Sequence, residues 1–306
     1  MGRSVRTDLA AEARELAGMS IPGVESIVNT EDQEITVTRV RVLDEQGAQA
    51  MGKPPGLYIN IDAAALKNRD PEFLERVSRR MAGEMEELLP ELGKNGTVMV
   101  VGLGNWNITP DALGPRVVSK MMVTRHLIQL IPDQVDERVR SVCAMAPGVL
   151  GITGIETGEI ILGVVEKIKP AAMIAIDALA SRSTARLGTT IQITDSGICP
   201  GSGVGNNRMQ LNCQTLGVPV ISIGVPLVVY ASTIARDVIE LLEGADAGDK
   251  AEMMIQQVVS EHLGDLIVTP KEIDALVDDV ARMLSLGLNL MIHKGVTVDE
   301  IDRFMM

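Results

Sequence analysis

Aromatic residues are scarce in this 306-residue chain, which has one tryptophan, two tyrosines and two phenylalanines, 2% in all. Hydrophobic residues nevertheless make up 46% of the sequence, including 17 methionines. We therefore expect methionine and aliphatic side chains to fill the core, since methionine packs adaptably. A chain of this length and hydrophobicity can bury a full core, and we predict one main domain.

Cysteine and histidine are also rare, with three residues of each. Cys143, Cys199 and Cys213 show no metal-ligand spacing, and an odd number in so long a chain is not typical of a disulfide framework. The histidines are far apart and match no metal signature such as HExxH. The sequence therefore predicts a reducing compartment and assigns no metal ligand or cofactor, while leaving metal assistance open.

Positive charge is in deficit, because 28 Lys and Arg residues face 41 Asp and Glu residues, a net charge of −13. Nucleic-acid affinity comes largely from clustered Lys and Arg, so direct DNA or RNA binding is not expected. No apolar run reaches the roughly 18 residues that span a bilayer, and the N-terminus lacks a secretory hydrophobic region. We expect a cytoplasmic protein without membrane contact.

Short apolar segments alternate with helical ones along the centre of the chain. Segments that are apolar on both faces are typical of strands in a buried parallel sheet. Strands are predicted at 97–103, 139–146, 171–176, 189–194 and 218–225, and helices at 71–92, 158–168 and 233–243. This order predicts an α/β fold of three layers, α/β/α, with a mostly parallel central sheet.

The periphery has different patterns. Residues 35–42 and 57–61 alternate in hydrophobicity around the turn GKPPG, which predicts a peripheral antiparallel ribbon. Two further helices are predicted, at 251–263 and 271–290. We expect an arm at 1–8 and a single α/β domain at 9–306, with the ribbon at about 34–62, the core at about 95–243 and C-terminal helices at about 250–306.

The first central strand leads into GLGNWNITPDALGP, where Gly102 and Gly104 allow a sharp turn before Asp111. An aspartate in the first turn of a helix is explained by the helix dipole alone, and catalysis is the alternative interpretation. A dinucleotide-binding turn is a further alternative. Asn107 replaces its third glycine, however, and no acid ends the next predicted strand.

A second aspartate, Asp177, ends the predicted strand at 171–176. It is either the cap of a following helix or part of a site. In parallel sheets, ligand sites lie outside the carboxyl ends of the strands, so Asp111 and Asp177 are predicted on one rim. Two carboxylates that share a proton supply a general base and a general acid.

Two glycine-rich segments are predicted to border the same rim. Glu156 is a candidate for substrate contact or assistance to the two acids, or simply a solvated loop residue. Asn105 is a further candidate, either for contact with substrate or as a residue of the loop. Gly201, Ser202 and Gly203 either form a rim loop or cradle an anion, although no Lys-Ser or Lys-Thr follows as in a phosphate loop.

Several long motifs occur in one order: SVRTDLAAEA, GLGNWNITPDALGP, APGVLGITGIETGEI, AIDALASRS and TTIQITDSGICPGSGVGN. Together they resemble the spore germination protease family, and the resemblance runs from about Ser4 to Glu243. It implies an endopeptidase that degrades small acid-soluble spore proteins during germination, in the spore core. It also implies a homotetramer, and a fold related to hydrogenase-maturation endopeptidases.

The resemblance also assigns residues. It places the two essential aspartates of an atypical acid protease at Asp111 and Asp177. It implies a zymogen that cleaves itself between Asp8 and Leu9, and the arm that this cut removes would be short. An exposed arm of this kind is what a protease can admit. A dinucleotide-binding enzyme and a non-catalytic assembly protein remain the alternatives.

Overall fold

A computed structural model describes residues 7–17, 21–30, 32–89, 92, 96–200, 209–235, 238 and 266–305. The strands are β1 Val24–Asn29, β2 Thr36–Val42, β3 Gly56–Asp62, β4 Val98–Gly102, β5 Val142–Met145, β6 Ala172–Ser181, β7 Thr190–Thr194, β8 Val220–Tyr230 and β9 Ile267–Val268.

Helices alternate with these strands. They are α1 Ala10–Ala17, α2 Glu45–Met51, α3 Pro71–Glu86, α4 Leu113–Val118, α5 Arg125–Leu130, α6 Leu150–Thr153, α7 Thr157–Ile168, α8 Cys213–Leu216, α9 Ile273–Ile292 and α10 Val298–Met305. Residues 231–235 are also helical. The predicted helix at 251–263 lies outside the described residues, as does most of the one at 233–243.

All nine of these strands belong to one mixed sheet, in the order β1-β2-β3-β7-β8-β6-β4-β5, with β9 beside β8. Strands β8, β6, β4 and β5 run parallel, as predicted for the core. The remaining neighbours are antiparallel. The predicted ribbon is present as β2 and β3, and β7 joins it to the parallel half by pairing with both β3 and β8.

Helices cover both faces of the sheet, which confirms the three-layer α/β/α architecture. On one face, α3, α4 and α9 pack against the central strands, with Met81, Leu113 and Leu284 among their fully buried side chains. The other face is covered by α7 and α8 over the parallel half and by α1 over the ribbon. The site lies on this second face.

Two local differences from the sequence prediction matter for the site. The strand predicted to stop at residue 176 continues as β6 to Ser181, because β8 pairs with it along that whole stretch. Strand β1 was not predicted, since its short segment VESIVN alternates weakly and is half-exposed. Among the described residues, no helix is long and apolar enough to cross a membrane.

Candidate active site

Asp177 is a residue of β6 and lies just beyond the point where the neighbouring strand β4 ends. The parallel pairing of these strands ends with Gly102 opposite Ile176, and the N–H of Leu103 donates to the Ile176 carbonyl at 2.8 Å. Asp177 is the next residue of β6 and is 8% exposed. The interpretation of Asp177 as a helix cap is wrong, because the strand continues through it.

Asp111 is the last residue of a short 3-10 turn, Thr109–Asp111, which follows β4. Gly104 adopts φ +111°, a conformation that side chains rarely tolerate, and an added Cβ there would lie 2.0 Å from the Asp111 carbonyl oxygen. The N–H of Asn105 donates to that same carbonyl at 3.0 Å. The turn is therefore folded tightly onto the strand exit.

A second close approach fixes the turn against β6. Gly114 is the second residue of α4, and a Cβ at this position would lie 2.3 Å from the Leu103 carbonyl oxygen and 2.6 Å from that of Ile176. Only a residue without a side chain allows main chain to approach main chain so closely. The start of α4 therefore lies directly on the residue that precedes Asp177, and the Thr109–Asp111 turn contacts β6 and β8.

Both carboxylates border one cavity of about 1170 Å³. Asp111, from the turn after β4, and Asp177, within β6, are therefore both among the residues that line this cavity. Asp111 is half-buried, whereas Asp177 is nearly enclosed and accepts a hydrogen bond from the N–H of Ala178 at 2.9 Å. Their catalytic roles stay predictions.

The sheet presents a polar strip to this cavity. One row of residues crosses four neighbouring strands. On β6 and β8, Asp177 is paired with Gly224. Gln192 on β7 is paired with Gly224 on one side and with Asn60 on β3 on the other. Residues that are directly opposite share a face, so the side chains of Asp177, Gln192 and Asn60 project to one side of the sheet. Asp177 and Gln192 line the cavity, whereas Asn60 is 0% exposed and does not. The neighbouring row of Ser222, Thr194 and Tyr58 lines the cavity as well.

The N-terminal arm enters the same cavity. Thr7 and Asp8 line it, while Leu9 and Ala10 are both 0% exposed. The expectation of an exposed arm around Asp8 and Leu9 is therefore wrong. The reason is tertiary, because Ala10 packs with β2 and β3 and the arm's polar groups bond to β6 and β7.

A buried glutamate anchors the helix that follows the arm. Glu12 is 2% exposed, and its carboxylate accepts from the N–H groups of Arg182 at 2.7 Å and Ser183 at 2.9 Å. The hydroxyl of Thr7 donates to the same carboxylate. These contacts hold α1 at the end of β6, so the arm has a defined path over the sheet.

The remaining predicted site residues take different places. Glu156 is the N-cap of α7 and accepts from the N–H groups of Gly158 and Glu159; it is neither a cavity-lining residue nor a solvated loop residue. Asn105 lines the cavity, and its side chain accepts from the Asn107 N–H at 2.9 Å.

The glycine-rich rim candidates cannot be placed in the same way. Gly201, Ser202 and Gly203 lie outside the described residues, although Cys199 and Pro200, which precede them, line the cavity.

Three cavity residues were missed by sequence reasoning: Lys53, Tyr58 and Gln192. Burial lowers the pKa of Lys53, and the carboxylates of Asp8 and Glu12 oppose that shift. Burial also raises the pKa of Tyr58 to about 12, so the phenol stays protonated at neutral pH. One signal was available, because Gln192 interrupts the otherwise apolar strand TIQIT; Lys53 had none, since it lies in a turn.

Groups of three or more His, Cys, Asp or Glu side chains that could hold a metal ion do not occur within the described ranges. The fold and the cavity define a class of protein: an α/β protein in which two aspartates line a cavity that also receives the chain's own N-terminal segment.

Comparison with known proteins identifies the family. The germination protease family model matches residues 5–245 and 242–305. Germination proteases from Clostridium perfringens and Caldanaerobacter subterraneus are 48% and 50% identical to this chain, the first over 99% of both chains and the second over 98% of both. One from Bacillus cereus is 41% identical over 98% of this chain and 97% of its own length. The chain therefore belongs to the germination protease family.

Among solved structures, a NiFe hydrogenase maturation protease from Thermococcus kodakarensis is similar at 16% identity and a TM-score of 0.35, over 68% of this chain and 98% of that one. This likeness is weak beside the family match.

Proposed function

We propose that this chain is an endopeptidase that hydrolyses small acid-soluble spore proteins during spore germination, with Asp111 and Asp177 as its catalytic pair. The observation that carries the proposal is that Asp111 and Asp177 line the cavity that is also lined by Thr7 and Asp8 of the chain's own N-terminal segment. The family match supports proteolysis, and the cavity supports a polypeptide as the molecule acted on.

The chemistry requires one carboxylate to be ionised and the other to be protonated. The ionised group takes a proton from a water molecule as its oxygen attacks the scissile carbonyl carbon. The protonated group then donates its proton to the leaving amide nitrogen as the C–N bond breaks. Two carboxylates near each other divide these roles, because their proximity disfavours ionisation of both. No cofactor is assigned to this reaction.

We also propose that the protein is made as a zymogen that cleaves itself between Asp8 and Leu9. Support comes from the arm, since Thr7 and Asp8 line the same cavity as the two aspartates. Self-association, as a homotetramer, is proposed from the sequence resemblance and from exposed apolar side chains such as Ile27 and Leu130, which are 69% and 77% exposed. The spore core is the location that such a substrate implies.

The test compares Asp111→Asn and Asp177→Asn with Asp133→Asn, a matched change at an exposed residue. A fluorogenic peptide and a purified small acid-soluble spore protein are the substrates, with and without a chelator. Loss of a positioned acid or base typically costs about 10²–10⁴-fold in turnover, so we expect that loss for the first two variants and wild-type turnover for the third. Near-full activity of either cavity variant removes that aspartate from the mechanism.

A chelator separates the two-carboxylate mechanism from a metal-assisted one, because only the latter loses activity on its addition. A non-catalytic assembly role is the outcome if wild-type protein cleaves neither substrate.

A further inference from the structure

The arm is held mainly through its peptide backbone. The Asp8 N–H donates to the Ala180 carbonyl at 3.0 Å. The Lys53 ammonium donates to the Asp8 carbonyl at 2.9 Å and to the Thr7 carbonyl at 3.3 Å. Contacts of this kind do not depend on the side chains of the bound segment, because every residue other than proline carries the same main-chain groups.

Gln192 uses both ends of its side-chain amide on this segment. Its Nε2 donates to the Asp8 carbonyl at 3.0 Å, and its Oε1 accepts from the Ala10 N–H at 2.6 Å. The two contacts lie on either side of Leu9. A single side chain thereby fixes the backbone before and after one residue, which is how a groove sets the register of a bound peptide.

Side-chain contacts add sequence preference. The Asp8 carboxylate accepts from the Ala180 N–H at 2.8 Å. The positive charge of Lys53 is adjacent, so an ionised residue is favoured over its amide at this position. Leu9 and Ala10 that follow are completely buried. The groove therefore accommodates an acidic residue, then a large aliphatic one, then a small one.

The position of this groove relative to Asp177 follows from strand geometry. In β6 the Ile176 carbonyl points toward β4, and main-chain groups of alternate residues point the same way, so Ala180 faces that side as well. The arm thus occupies the edge that β4 has vacated. At about 3.3 Å per residue, its contact at Ala180 is about 10 Å along the strand from Asp177, so cleavage after Asp8 requires this segment to shift along β6 toward Asp177.

We propose that Lys53 and Gln192 are specificity-determining residues that position the substrate peptide of this protease, in the place that the arm segment 7–10 occupies. Gln192 fixes the backbone register, and Lys53 with the Ala180 N–H selects an acidic residue at the position of Asp8. This inference rests on the proposed function, and it adds which residues of the groove choose the bond.

The test uses full-length protein and two peptides, one containing Thr-Asp-Leu-Ala and one containing Thr-Asn-Leu-Ala. Lys53→Met is compared with Lys67→Met, an exposed lysine, and Gln192→Leu with Gln134→Leu, an exposed glutamine. Both peptides carry the main-chain carbonyls that bond to Lys53, so loss of these bonds lowers both kcat/KM values. Loss of the positive charge beside the acidic residue should in addition lower the Asp-over-Asn ratio of kcat/KM by about tenfold. Lys53→Arg should restore much of it.

Gln192→Leu should raise KM about tenfold for both peptides and leave their ratio unchanged, because it removes backbone contacts only. If Lys53 and Gln192 only anchor α1, a variant that folds keeps the wild-type ratio and the wild-type KM, and the inference is overturned. Circular dichroism of each variant, together with the Lys53→Arg protein, separates unfolding from loss of recognition.

A wild-type protein that cleaves neither peptide defeats the proposed function but not this inference. Fluorescence anisotropy then measures binding of the same two peptides, labelled. These measurements use protein that starts at Leu9, so that Thr7 and Asp8 do not occupy the groove. A preference for the Asp peptide that Lys53→Met abolishes supports the groove, whereas equal or absent binding overturns it.

Discussion

His293 provides a direct test of the packing that holds the C-terminal helix in place. It follows α9, is 0% exposed, and its Nδ1 accepts from the Arg140 N–H at 3.1 Å. Burial lowers the pKa of His293 from 6.5 to about 4. A backbone hydrogen bond with Met122 favours the charged form of the imidazole, but burial has the larger effect. Protonation would put a charge in an apolar site and disturb the bond to Arg140.

The sign of the pH effect follows from linkage. Because the folded pKa lies below the unfolded one, the unfolded chain binds the proton more readily. The neutral imidazole thus stabilises the fold fully above about pH 6.5, and this contribution is lost as the pH falls toward 4. The whole difference corresponds to about 3 kcal/mol, of which about 2 kcal/mol is lost between pH 7 and pH 5.

The perturbation is His293→Asn, since the asparagine oxygen can accept from Arg140 but does not titrate. Urea unfolding at pH 7, 6 and 5 measures both proteins. We expect the variant to be less stable at pH 7 through lost packing, but to lose about 2 kcal/mol less than wild type by pH 5. Parallel pH profiles of the two proteins would refute the assignment of this pH dependence to His293.

Three further changes test the site's framework. Glu12→Gln leaves two buried N–H groups with a neutral acceptor, so the free energy of unfolding should fall by about 1–3 kcal/mol in chemical denaturation. An unchanged denaturation midpoint would show that α1 does not depend on the charge of Glu12. Gly114→Ala forces a methyl group against the Ile176 carbonyl and should therefore lower both turnover and thermal stability. If the variant keeps both, the close approach of α4 to β6 at this position is contradicted. Gly83→Ala, in open space on α3, is the matched control and should raise stability by about 0.5–1 kcal/mol. Tyr58→Phe removes the hydroxyl that donates to the Pro54 carbonyl at 2.8 Å. The free energy of unfolding should fall by about 1 kcal/mol in thermal unfolding, and no change would show that this bond does not stabilise the fold.

Local sequence determined most elements of this protein. Runs of β-branched and aliphatic residues predicted the buried strands of the core, and alternation around GKPPG predicted the pairing of β2 with β3. The helix at 158–168 was also predicted, although its cap, Glu156, was not recognised. These successes rest on periodicity and turn chemistry, which act over a few residues and are therefore visible in one sequence.

The two aspartates could be proposed from sequence because each follows an apolar run of residues and lies in a long motif of the family. Whether they share a cavity depends on strand order and on the close approach of Gly114 to β6. The extension of β6 past Asp177 depends likewise on β8, a strand more than 40 residues further along the chain. Such pairing energies come from distant partners, so a local pattern cannot report them.

The peptide groove was decided by tertiary structure alone. Lys53 lies 45 residues from Asp8, and Gln192 lies 184 residues from it, yet both donate to its carbonyl. Sequence reasoning treated the arm as exposed because it is short and polar, and nothing local shows that β6 leaves an edge for it. Leu9 is 0% exposed between contacts that Gln192 makes with its two neighbours, and such burial is a property of the folded sheet rather than of the local segment.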